Sequence, residues 1–176
     1  PESHLDLVLV FDGSNTFTTT YQAFDPSRNN AEELITKLRY RDRISILQFG
    51  APGSFQATVG LPGTNGDVAA INGAIAYVRA MTPNGSTDLT GALGRVDQLV
   101  GSSTLGVKAA VLFSDAETTD PAGALNAAAT LASRKVRLYT LGFAGSGGQS
   151  LSSTMANTTG GAYYLTSNTT ISLALK

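Results

Sequence analysis

The stretch VLVFDGSNT, residues 8–16, decides how the rest of the chain reads. Its apolar run stops at Asp12, and Ser14, Asn15 and Thr16 follow at once, each offering an oxygen. Together with Leu5–Leu7 the run reads as a strand almost continuous in apolar residues, as expected of a strand buried on both faces of a parallel sheet. A buried strand ending in a carboxylate and two hydroxyls spaced two apart calls for a chemical reason.

Working outward, residues 27–40 read as a helix, with Ala31, Leu34, Ile35 and Leu38 on one face, Pro26 in the first turn and Asp25 as its cap. Residues 43–49 and 54–60 read as two strands joined by Ala51-Pro52-Gly53, the second an antiparallel edge. Val68, Ile71, Ile75 and Val78 mark a helix, and Leu89, Ala92, Leu93, Val96 and Val100 mark another after the turn Pro83-Asn84-Gly85-Ser86. Then come a strand over 108–114 ending at Asp115, an Ala-rich helix over 121–133, a strand over 136–142, a short helix over 149–158, a short strand over 162–165 and a final helix from 169. This alternation predicts one α/β domain over 1–176. Its sheet is doubly wound, six-stranded and mostly parallel, with one antiparallel edge strand and helices on both faces in a Rossmann-like arrangement. The absence of any leader ahead of the first strand suggests a domain excised from a larger protein.

Composition narrows the function. Charged residues are only 14% and the net charge is −1, with no basic block, which argues against nucleic acid as a partner. No apolar run approaches the ~20 residues that span a bilayer. There is no cysteine, so disulfides and thiolate chemistry are excluded. His4 is the single histidine and stands outside any motif, which leaves a Ser-His-Asp hydrolase without its base. The glycine-rich stretch 142–149 follows a late strand and reads as a loop, not a phosphate cradle. Sequons at Asn84, Asn157 and Asn168 matter only in a glycosylating host.

In a doubly wound sheet, ligands bind beyond the carboxyl ends of the strands. If the first and fourth strands are neighbours, three loops meet there: Asp12-x-Ser14-x-Thr16, Ser86-Thr87-Asp88 and Ser114-Asp115. Carboxylates and hydroxyls without thiol or imidazole suit a hard divalent cation. Two strand-end carboxylates without a cation would repel each other.

These motifs, with NGSTDLTGAL (84–93), AAVLFSDAETTD (109–120), VRLYTLGF (136–143) and TGGAYYL (159–165), resemble a von Willebrand factor A domain carrying a metal-ion-dependent adhesion site. The resemblance runs over the whole chain and implies roles for the matching positions. Ser14, Thr16 and Thr87 would hold the ion through hydroxyls, and Asp12 and Asp115 largely through water. Mg²⁺, with Mn²⁺ or Ca²⁺ as alternatives, would take the carboxylate of a protein partner at its open position. The chain departs from the family pattern in having Thr16 for serine and Ser86 and Ala116 for glycine. Tyr21, Phe24, Asp88 and Glu117 are candidate partner-binding residues of the rim, with Tyr21 or Phe24 as an aromatic anchor. The expected function is adhesion or assembly outside the cell or at its surface. A metal-free scaffold of the same fold is the main alternative. Phosphohydrolase chemistry is disfavoured, because Ser14 stands where a second carboxylate would be needed.

Overall fold

The computed structural model describes residues 4–49, 54–59, 65–85, 87–143 and 145–166. Six strands, β1 (Leu5–Phe11), β2 (Arg43–Gln48), β3 (Phe55–Thr58), β4 (Val107–Phe113), β5 (Val136–Phe143) and β6 (Tyr163–Thr166), form one sheet in the order β3-β2-β1-β4-β5-β6. All pairings are parallel except β2 with β3, so the edge strand expected to be antiparallel is so. Among the described residues five α-helices accompany it: α1 (Phe24–Ile35), α2 (Asn65–Ala80), α3 (Leu89–Val100), α4 (Pro121–Ser133) and α5 (Gln149–Thr158).

The pleat of β1 divides the core. Leu7, Leu9 and Phe11 point to one face, where they meet Ala31 and Ile35 of α1 and Ala74 and Val78 of α2. Val8 and Val10 point to the other, against Leu93 and Val96 of α3, Ala128 and Leu131 of α4 and Met155 of α5. Because both faces are covered, the strand must be apolar at every position, which is what its sequence shows. β1 lies between β2 and β4, the place where the strand order reverses and a crevice opens beyond the strand ends.

Several boundaries differ from the sequence reading. Residues 16–20, to which the sequence assigned no element, form a π-type turn closed by Tyr21 N–H donating to the Thr16 carbonyl at 3.1 Å. The chain leaves this turn already coiled, so α1 starts at Phe24, earlier than expected. Asp25 is therefore inside the first turn and pairs with Arg28 at 2.6 Å instead of capping. α1 also ends at Ile35; Leu38 follows it in a turn yet still packs against the core. The cap of α3 is Asp88, whose carboxylate accepts from Gly91 N–H at 2.8 Å. The expected link at 51–53 and final helix from 169 lie outside the described residues. Among the described residues no helix is long and apolar enough to cross a membrane.

At the opposite end of the strands Asp6 is wholly buried, with Arg43 Nη2 at 3.3 Å. In register, Arg43 and Lys108 flank Asp6 on the two neighbouring strands. Arg43→Ala removes the nearest counter-charge from a carboxylate that water does not reach. Denaturant unfolding is expected to show a loss of roughly 1–3 kcal/mol, less than for a fully buried pair because Arg43 is half in solvent. A loss within error would mean that Lys108 already balances Asp6.

Candidate metal centre

The ends of β1 and β4 are stitched together by Asp12 N–H donating to the Phe113 carbonyl at 2.9 Å. This sets Asp12 and Asp115 side by side at the head of the crevice, both about 1–2% exposed. Asp12 is fully engaged. Its Oδ1 accepts from Ser14 N–H at 2.7 Å and its Oδ2 from the Ser114 hydroxyl at 2.6 Å. Burial pushes the Asp12 carboxyl up to about 6, against the hydrogen bonds from Ser114 and Ser14, and the nearby charge of Asp115 adds to the rise. Asp115 is also raised, first by burial. The Glu117 amide and the Thr16 hydroxyl beside it oppose the rise, and the charge of Glu117 adds to it.

The donor set has two hydroxyls at its front. Ser14 Oγ lies 3.2 Å from Thr16 Oγ1 and accepts from Phe17 N–H at 3.3 Å. Asp115 Oδ1 accepts from Glu117 N–H at 3.0 Å, while Asp115 Oδ2 is buried with no hydrogen-bond partner among the described residues. A buried carboxylate oxygen without a donor is costly. Among the described residues no three of His, Cys, Asp and Glu gather as a metal group; the cluster is two carboxylates with hydroxyls. That composition fits a hard cation that keeps part of its water, and an orphaned Oδ2 beside Thr16 is where such an ion would be useful.

Thr87 reaches the same rim from a third loop. Gly85 N–H donates to the Gly13 carbonyl at 2.8 Å, tying this loop to the Asp12–Thr16 segment. Gly85 has φ +75°, a turn that suits glycine. Thr87 is exposed and shares with Ala116, Glu117, Pro121, Gly148 and Leu151 the wall of an open cleft of about 500 Å³. The structure thus gathers Asp12, Ser14, Thr16 and Asp115 tightly and brings the Thr87 loop to their edge.

The rim residues divide. Tyr21 is half-buried, its hydroxyl donating to Glu117 Oε1 at 2.9 Å. Glu117 is likewise held, accepting from Gly147 N–H at 3.0 Å. Asp88 is exposed but caps α3. Phe24 is 3% exposed and packs edge-on against Phe11 at 6.4 Å. It is therefore corrected from rim anchor to core: the early start of α1 turns its ring inward.

Two residues to which the sequence reading gave no role of their own also contribute. Ser114 has no role assigned by its motif, yet it locks Asp12 and accepts from Ala116 N–H at 2.8 Å. Its signal was a hydroxyl residue at the mouth of a buried strand. Gly13 is the other: a Cβ there would stand 2.4 Å from Gln48 Nε2 and 3.0 Å from Asn84 N. Ala116, where the family commonly has glycine, sits at φ +54°, a conformation that strains an L-residue by about 1–2 kcal/mol.

An open α/β sheet with oxygen donors converging at its switch point has the architecture in which ligand sites, where present, lie beyond the strand ends. The model of the von Willebrand factor type A domain matches residues 6–174, and the chain belongs to that family. The fold is shared with several solved structures. Proximal thread matrix protein 1 from the mussel byssus, solved with a zinc-occupied MIDAS motif, aligns with TM-score 0.69 and 16% identity over 94% of this chain and 44% of its own. Manganese-loaded TRAP protein of Plasmodium vivax aligns with TM-score 0.64 and 22% identity over 88% and 63%. The pilus adhesin SpaC of Lactobacillus rhamnosus GG, in an open conformation, aligns with TM-score 0.71 and 14% identity over 94% and 28%. The chain thus spans less than two thirds of each of these proteins. A search of curated protein sequences finds no match.

Proposed function

We propose that this domain is a divalent-metal-dependent protein-binding module, acting in adhesion or assembly outside the cell or at its surface. Asp12, Ser14, Thr16, Thr87 and Asp115 would hold an ion of the Mg²⁺ type, with Mn²⁺ or Ca²⁺ able to replace it. Bound there, such an ion supplies a Lewis-acidic position for an acidic side chain of a partner protein. The observation that carries the reading is the buried, unpartnered Asp115 Oδ2 beside Asp12 and the Ser14–Thr16 hydroxyl pair.

The chain's own residues have separable tasks. Ser114 and Ser14 N–H hold the Asp12 carboxylate in one orientation, so its charge faces the cluster without searching. Ser14 and Thr16 contribute neutral oxygens, which leave a cation less neutralised than carboxylates would. Thr87, exposed at the cleft wall, stands where a partner residue would arrive. The solved structures add weight through their metals and settings, a zinc-occupied motif, a manganese-loaded protein and a pilus adhesin, each a property of that protein.

Thermal melting tests the proposal. Native protein in excess Mg²⁺ or Mn²⁺ is expected to melt above the same protein in EDTA, the gain being about 2.7 kcal/mol at one hundred times Kd. Asp12→Ala should show no gain. Equal shifts in both proteins would remove the ion from this site, and no shift in the native protein would favour a metal-free scaffold.

A further inference from the structure

We propose that Tyr21 and Glu117 act as a positioning strut that holds the two carboxylate- and hydroxyl-bearing loops of the candidate metal centre at their working separation. The inference rests on the metal-binding reading above and adds to it a pair of residues whose hydrogen bonds run to the ligand-bearing loops.

The geometry closes a ring. Tyr21 N–H donates to the Thr16 carbonyl at 3.1 Å, so Tyr21 is fastened to a segment that offers a hydroxyl to the cluster. Its side-chain hydroxyl donates to Glu117 Oε1 at 2.9 Å across 96 residues of sequence. Glu117 N–H in turn donates to Asp115 Oδ1 at 3.0 Å. Thr16 and Asp115 are therefore joined by a protein path, Thr16–Tyr21–Glu117–Asp115, that does not pass through a cation. The same Glu117 oxygen accepts from Gly147 N–H at 3.0 Å, which draws the loop between β5 and α5 into the assembly.

The Tyr21 end of the strut is stiff. The Tyr21 ring stacks on Phe143 at 6.4 Å, and Phe143 meets the buried Phe17 edge-on at 5.2 Å. A phenol carried on two torsions and stacked on a ring that is itself packed against Phe17 loses little freedom when its hydroxyl bonds. A carboxylate acceptor strengthens that bond. Outer groups that orient metal ligands affect metal affinity by about ten- to a hundredfold in known sites. The strut adds a second tie, through Tyr21 and Glu117, between loops that meet where the Thr16 hydroxyl stands beside Asp115.

Glu117 could instead act only as a negative charge near a cation, and two variants separate these roles. Tyr21→Phe removes the hydroxyl and keeps the charge. Glu117→Gln removes the charge and keeps an Oε1 that accepts from both Tyr21 and Gly147. Calorimetric titration of the full chain with Mn²⁺ is expected to show Tyr21→Phe weakened by about tenfold. Glu117→Gln should stay within about twofold of wild type, and Glu117→Ala should fall at least as far as Tyr21→Phe. The double variant Tyr21→Phe/Glu117→Ala should fall no further than Glu117→Ala, since both changes break one device. Wild-type affinity in Tyr21→Phe with a loss in Glu117→Gln would overturn the strut in favour of charge alone. In EDTA, amide exchange at Glu117 and Gly147 should quicken in Tyr21→Phe with little change in melting point; unchanged exchange also overturns it. If wild type binds neither Mg²⁺ nor Mn²⁺, the metal reading fails by itself. The exchange result then still decides whether the strut fastens the loops.

Discussion

Asp12→Asn is expected to stabilise the metal-free protein at neutral pH while abolishing its response to metal. The reason is the position of Asp12, 2% exposed and beside a second buried carboxylate. Its carboxyl is pushed up from the ordinary 3.8 to about 6, chiefly by burial. The folded protein therefore holds a proton that the unfolded chain has released between those two values. Stability falls as pH rises through that window, and the full penalty is present above it. Its size is about 3 kcal/mol, since each pKa unit corresponds to about 1.4 kcal/mol. Asparagine carries no charge to bury, and its carbonyl oxygen can still accept from Ser14 N–H. Urea unfolding in EDTA should show a gain of about 1–3 kcal/mol at pH 7.5 that vanishes near pH 4, where wild type is itself protonated. With Mg²⁺ present the order should reverse, because only the wild type gains. An asparagine variant less stable than wild type at pH 7.5 in EDTA would mean that the buried charge carries no net burden.

The second large effect concerns a residue with no functional group. Gly148 lies at the start of α5, and a Cβ there would stand 2.1 Å from the Asp115 carbonyl oxygen and 2.5 Å from the Ala116 carbonyl carbon. Both obstacles are backbone, and they belong to the loop that presents Asp115. Gly148→Ala must displace either α5 or that loop, and is expected to lower stability by about 3 kcal/mol. Its Mn²⁺ affinity should fall as well, since Asp115 moves with its own carbonyl. Gly94, in α3, is the control, because a Cβ there meets nothing within 4 Å. Gly94→Ala should instead gain about 0.5–1 kcal/mol from helix propensity. Equal behaviour of the two alanine variants in chemical denaturation would dismiss the steric account.

Much of this centre was legible before any fold was known, and particular residues show why. A strand buried on both faces must be apolar throughout, so LDLVLVF announces β1 and makes the polar break at Asp12 conspicuous. The bounds of α4 and α5 agree with the sequence reading because local signals fix them, such as Pro121 at the first helical position with Asp120 capping. The start of α1 was misread because the π-type turn at Thr16–Thr20 has no strong pattern of its own, and the position of Phe24 shifted with it.

The sequence by itself determined the α/β alternation and the chemistry of the oxygens available to the crevice, because periodicity and residue type are local properties. Only the tertiary structure decided how those oxygens are used. Ser114 and Asp12 are 102 residues apart, and Tyr21 and Glu117 are 96 apart. Their meeting depends on β1 lying beside β4 in one register, with the following loops folded over the same edge. Strand order and register are non-local, so no pattern within either segment shows that Asp12 is fully bonded while Asp115 keeps one oxygen free.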